Sequence, residues 1–109
     1  MRVLLDECVP RNLLHERELR GVDAAHVVSE GWAVRRNGDL LRAMRAAGFG
    51  VLLTVDRNLV FQQNMAASGV AVIVLHARGN RTRDLAPFLP AVRAALTSIR
   101  DGEVVHLGV

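Results

Sequence analysis

The chain has no lysine, no tyrosine, one cysteine, three prolines and, among 109 residues, only three phenylalanines and one tryptophan. Each scarcity excludes something. All 14 basic residues are arginine, so no mechanism that needs a lysine amine is available. With Cys8 alone, neither an intramolecular disulfide nor a cysteine zinc cluster can form. Cys8 reads instead as a small buried hydrophobe. So few aromatics leave few platforms on which bases could stack. No apolar run approaches the ~20 residues of a membrane span. The opening MRVLLDECVP meets acids at positions 6 and 7 after only a short apolar run. A secretory signal needs an apolar stretch of roughly 7–15 residues. The expectation is a cytoplasmic protein with no membrane partner. The G-x-S-x-G, G-x-x-x-x-G-K-[ST] and G-x-G-x-x-G motifs are all absent, which leaves a serine hydrolase, a P-loop NTPase and a Rossmann dehydrogenase without support.

What is present is an ordinary globular composition: 50% apolar and 23% charged, with a net charge of +3. That balance permits a nucleic-acid partner without requiring one. No repeat or linker divides the chain, so residues 1–109 are read as one domain, long enough to bury a core.

Apolar runs alternate with helical patterns. Val3–Leu5 reads as a buried strand, followed by a helix from Pro10 to about Arg20 that Gly21 ends. Asp23–Val28 is a weaker strand and Ser29–Arg36 a loop. Asn37 is the expected N-cap of a helix over Gly38–Ala47. Val51–Val55 is the next strand, Asn58–Ala67 a short helix, and Val70–Leu75 the plainest strand of all. Asp84–Arg100 has an amphipathic stripe, but Pro90 opposes a helix begun at Thr82, so regular helix is expected from near Phe88. Glu103–Leu107 would be a final edge strand. Strand and helix in alternation, with continuously apolar strands, imply a doubly wound α/β domain: a parallel sheet of four or five strands, helices on both faces, right-handed crossovers.

In such a sheet ligands bind beyond the carboxyl ends of the strands. Asp6 follows the first strand and Asp56 the third. If those strands are neighbours, about 5 Å apart, two carboxylates face one crevice and attract a hard divalent cation such as Mg²⁺ or Mn²⁺. Asp39, in the first turn of the middle helix, is the candidate third ligand, although an acid there also simply suits the helix dipole. Glu7 reads more as a solvated acid than as a ligand. Thr54 lies on the strand face of Asp56 and could bond a carboxylate. Arg57, Asn58, Gln62, Arg78, Asn80 and Arg81 follow the third and fourth strands and are of the types that hold phosphate oxygens. The four histidines, His15, His26, His76 and His106, have no metal-ligand spacing and read as structural or surface residues.

The segments VLLDECVP, NGDLL, VLLTVDRNLVFQQN and VAVIVLHARGNR together resemble the PIN-like proteins, in particular the short bacterial and archaeal PIN-like proteins of unassigned function. The resemblance runs from Arg2 to the final helix. It implies a Rossmann-like three-layer α/β/α sandwich and a metal-dependent ribonuclease, the toxin of a type II toxin–antitoxin pair in many such proteins. By the same resemblance Asp6, Asp39 and Asp56 would hold Mg²⁺ or Mn²⁺ and serve catalysis. Arg57, Asn58, Arg78, Asn80 and Arg81 would hold RNA or other single-stranded nucleic acid. An antitoxin protein and a second copy of the chain are the expected protein partners. The chain departs from the family pattern at Glu7–Pro10, at Asp39, where glutamate is usual, and at Asn58, where a fourth acid is usual. These departures support an alternative: a catalytically weakened module that binds RNA or a protein. A receiver-like phosphoacceptor domain would also place acids at positions 6, 7 and 56, but it needs a lysine that this chain lacks.

Overall fold

The computed structural model describes residues 1–35, 37–59 and 64–109. Five strands form one sheet: β1 (Arg2–Leu5), β2 (Ala24–His26), β3 (Phe49–Thr54), β4 (Ala71–Leu75) and β5 (Val104–Leu107). Their order is β2-β1-β3-β4-β5 and every pairing is parallel. The expected α/β architecture is therefore the observed one, a five-stranded all-parallel sheet with helices on both faces. The final edge strand is present, paired with β4 from Val72–Val104 to Leu75–Leu107.

Period-two alternation divides the sheet between two cores. On one face Val3, Leu5, Val51, Leu53, Ala71, Ile73 and Leu75 pack together. On the other lie Leu4, Leu52, Val72 and Val74. All eleven are at most 1% exposed, which is why β1, β3 and β4 are apolar on both faces at these positions. Each of the valines, leucines and isoleucine among them contributes roughly 1.5–3 kcal/mol when fully buried.

The connections differ from expectation where packing overrules propensity. No α-helix covers Pro10–Arg20; two 3₁₀ turns, Arg11–His15 and Arg17–Leu19, stand there instead. Both Leu13 and Leu19 are buried in the first core. Six residues apart, they would point about 120° away from each other on a continuous helix. Glu16, extended at φ −68° and ψ 145°, breaks the path and lets both face the sheet. Helix α1 spans Asn37–Ala46, one residue earlier than expected, and seats Leu40, Leu41 and Met44 on Leu4 and Leu52. Of the helix expected over 58–67, positions 60–63 lie outside the described residues. Met65–Ser68 forms the short helix α2, capped by the Asn64 side chain, which accepts from the Ala67 N–H at 3.3 Å.

The stripe from Thr82 onward is broken as its prolines require. Helix α3 covers Thr82–Leu85, a 3₁₀ turn Ala86–Phe88, and helix α4 Leu89–Leu96. Pro90 thus falls in the first turn of α4, where its missing N–H costs nothing.

One crossover departs from the expected uniform hand. The β2–β3 and β3–β4 connections pass over the second core, whereas β4–β5, advancing in the same direction, passes over the first. Its hand is therefore opposite to theirs. Leu85, Leu89 and Val92 from α3 and α4 cover Leu53, Ile73 and Leu75, a face that the two short 3₁₀ turns leave largely open. Burial of that face outweighs the usual chiral preference.

Candidate functional site

Strands β1 and β3 are adjacent, and the strand order reverses between them, because the chain leaves β1 for β2 and returns over it to β3. Ligand crevices form outside the carboxyl ends of strands at such a reversal. There the structure has a shallow hollow of about 330 Å³ lined by Asp6, Glu7, Cys8, Val55 and Asp56.

The hollow is built outward from the ladder. The Asp6 N–H donates to the Leu53 carbonyl at 3.0 Å, which continues the β1–β3 register by one residue and sets Asp6 opposite Thr54. Thr54 is wholly buried. Its hydroxyl donates to Asp6 Oδ2 at 2.7 Å and accepts from the Asp56 N–H at 3.0 Å. One hydroxyl therefore ties the first carboxylate to the backbone that carries the second. Asp6 Oδ1 accepts from the Glu7 N–H at 2.8 Å. Asp56 Oδ1 accepts from the Asn58 N–H at 3.0 Å, an Asx turn that orients its carboxylate. Both acids are half-buried, and among the described residues neither has an arginine or histidine ion-pair partner.

Cys8 stands between them. Its Sγ lies 3.7 Å from Asp6 Oδ2 and 3.5 Å from Thr54 Oγ1. Burial pushes the thiol above its ordinary 9.0, and the charges of Asp6 and Asp56 push the same way. Hydrogen bonds from the Thr54 side chain and the Val55 backbone act against this. Cys8 is thus a protonated lining group at neutral pH, half-buried rather than the buried hydrophobe expected.

The third candidate acid is placed differently. Because α1 follows β2, its N-terminus starts at the same edge of the sheet. Asp39, however, is exposed, does not line the hollow and pairs with Arg42 one turn along its own helix. Among the described residues no three histidine, cysteine or carboxylate side chains converge as a metal cluster. The structure brings together Asp6 and Asp56, with Glu7 exposed at the rim.

The polar candidates leave the same edge in the loops after β3 and β4. Arg57, Asn58, Arg78, Asn80 and Arg81 are all exposed. Asn80 Nδ2 donates to the Cys8 carbonyl at 3.3 Å, holding the β4–α3 loop against the loop that carries the hollow. The Arg81 N–H donates to Asp84 Oδ2 at 3.1 Å at the start of α3. Gln62 lies outside the described residues.

Three histidines take roles that their spacing did not reveal. His26 is buried, accepts from the Val28 N–H through Nδ1 at 3.1 Å and lies 2.6 Å from the Val9 carbonyl through Nε2. The first bond makes Nδ1 the acceptor, so Nε2 carries the proton and donates. His26 thereby braces the loop after Asp6. His76 and His106, thirty residues apart, meet with Nε2 and Nδ1 at 2.8 Å. Only the β4–β5 pairing brings them together, and no sequence signal could have indicated it.

Two carboxylates without a cationic partner present hard oxygen donors. Mg²⁺ and Mn²⁺ accept one or two such donors and fill the remaining positions with water or phosphate oxygens, so Asp6 and Asp56 fit such an ion. Compared with protein-family models, with curated proteins and with solved structures, the chain shows no match.

Proposed function

We propose that the chain is a metal-dependent ribonuclease of the PIN-like kind, hydrolysing phosphodiesters at the β1–β3 edge. The observation that carries the reading is the placement of Asp6 and Asp56 around one hollow at the reversal of strand order, cross-tied by buried Thr54. Asp6 and Asp56 would hold Mg²⁺ or Mn²⁺. When bound, such an ion supplies charge neutralisation at the phosphate and activation of water.

The chain's own residues do the rest. Thr54 and the Asn58 N–H hold the two carboxylates in fixed orientation. Arg57, Arg78 and Arg81 present planar donors to backbone phosphates, as arginine favours. Such contacts position a strand without reading its bases, and the scarce aromatics agree with weak sequence preference. Asp39, exposed and paired with Arg42 on its own helix, lies outside the hollow and is given at most a secondary role. A cytoplasmic location and an antitoxin partner belong to the same proposal.

One observation favours a second reading. Because Asp39 does not join the hollow, a two-carboxylate site could retain RNA or a protein without cutting. The strand order is also that of receiver-like domains, but the missing lysine argues against phosphoacceptor chemistry.

The test is cleavage of a fluorescent single-stranded RNA with Mn²⁺ or with EDTA. Cleavage should require metal and fall at least 100-fold in Asp6→Asn and Asp56→Asn, with a smaller loss in Asp39→Asn. Metal and RNA binding without cleavage would move the assignment to the non-catalytic module. Undiminished cleavage by Asp56→Asn would overturn the site itself.

A further inference from the structure

We propose that His76 and His106 form a zinc-binding clip that joins the last strand to the sheet, a site separate from the carboxylate hollow and independent of the nuclease reading. His76 is the first residue after β4, and its N–H donates to the Leu107 carbonyl at 2.8 Å. His106 lies within β5, opposite Val74. Both backbones are thus fixed by the ladder, and the rings meet because the strands do.

The ring geometry suits a shared metal. Two imidazoles bound to one tetrahedral zinc at about 2.05 Å have nitrogens about 3.3 Å apart and ring centroids about 5 Å apart. Here the facing nitrogens are 2.8 Å apart and the centroids 5.0 Å apart, with planes inclined at 55°. The centroids need not move. Tilting each ring opens the nitrogens by about half an ångström and turns both lone pairs towards one point.

The proton balance is simple. A neutral pair has one N–H and one lone pair between the rings. On binding zinc, the proton of the donating nitrogen leaves that position and is retained on the other nitrogen of the same ring, so two neutral imidazoles ligate without net proton release. Zinc needs the neutral ring. His106 is exposed and His76 half-buried, so water or a phosphate oxygen can complete the shell.

A metal at this position would act on a specific weakness. β5 is an edge strand whose only ladder partner is β4. A ligand that binds only the paired strands stabilises the folded state by mass action.

The test is titration of tag-free protein with Zn²⁺ in a non-chelating buffer, followed by calorimetry and by thermal unfolding with and without Zn²⁺. One zinc per chain should bind the parent and raise its Tm. His106→Ala and His76→Ala should each weaken binding at least tenfold and abolish the rise in Tm. His106 is exposed, so its variant carries the test even if His76→Ala folds poorly. Asp6→Asn, Asp56→Asn and His15→Ala should each leave zinc affinity within twofold of the parent. Unchanged affinity in His106→Ala would overturn the site, as would loss of the zinc in Asp56→Asn, which would put the ion in the hollow.

Discussion

The residue on which the carboxylate edge depends most is Thr54, and replacing it with valine tests the whole construction. Valine matches threonine in shape and keeps the β-branched packing of a fully buried strand position, so only the hydroxyl is lost. Its bonds go with it, one donated to the Asp6 carboxylate and one accepted from the Asp56 N–H, together with the weaker 3.5 Å contact to Cys8 Sγ. A hydrogen bond to a charged group contributes about 1.5–3 kcal/mol, and a stranded buried donor costs about 1–3 kcal/mol. Asp6 is half-buried and can recruit water, so the low end of each range applies and the total is about 2–3 kcal/mol. For a domain of this size unfolding entropy near Tm is roughly 2.1 cal/mol/K per residue, so the loss lowers Tm by about 9–13 °C. Thr54→Ser keeps the hydroxyl and loses one methyl, at a cost of about 1 kcal/mol. Calorimetric melts of the parent, Thr54→Val and Thr54→Ser at pH 7 read this directly. If valine melts within 2 °C of the parent, or no lower than serine, the hydroxyl does not organise the edge and the argument for the site fails.

Two further outcomes concern Cys8 and the last strand. The raised pKa of Cys8 means that its alkylation by iodoacetamide should stay slow up to pH 9 and accelerate only above it, while the unfolded chain reacts at lower pH. Because the folded thiol gives up its proton less readily than the unfolded one, the linked stability is intact below pH 9 and lost as pH rises through the folded value. Asp56→Asn removes one like charge and should move the alkylation profile to lower pH; an unmoved profile would place Asp56 away from Cys8. Gly108 sits at φ +83°, where an added Cβ would lie 2.8 Å from the His76 carbonyl oxygen and against the Phe88 ring. Gly108→Ala should therefore cost about 2 kcal/mol or more and loosen β5, seen as faster amide exchange at Val105 and Leu107 than at Leu53.

Most of the sheet was legible because a strand buried on both faces is apolar at nearly every position, and Val3–Leu5, Val70–Leu75 and, but for Thr54, Val51–Val55 carry that signal. The kink at Pro90 was legible because proline acts locally. The segment Arg11–Leu19 was not. Its leucines suit a helix by propensity, and only the demand that Leu13 and Leu19 meet one core makes the chain break at Glu16. The hand of the last crossover was illegible for the same reason, since it answers to which sheet face stood uncovered. At the edge, the rule for parallel sheets indicated Asp6 and Asp56 from position alone. Asp39 met its topological condition, a helix start at the carboxyl edge, and yet its side chain goes to Arg42, a choice between partners that spacing does not express.

By itself the sequence determined the alternation of strands and helices, the parallel sheet and the pair of acids at its carboxyl edge. These follow from local periodicity and from where each strand must end. Tertiary structure alone decided the neighbours: β1 beside β3, Thr54 between two carboxylates, His76 against His106 across thirty residues. The reason is physical. Strand order and register are set by burying two apolar faces at once, a condition on the whole chain that no segment carries within itself.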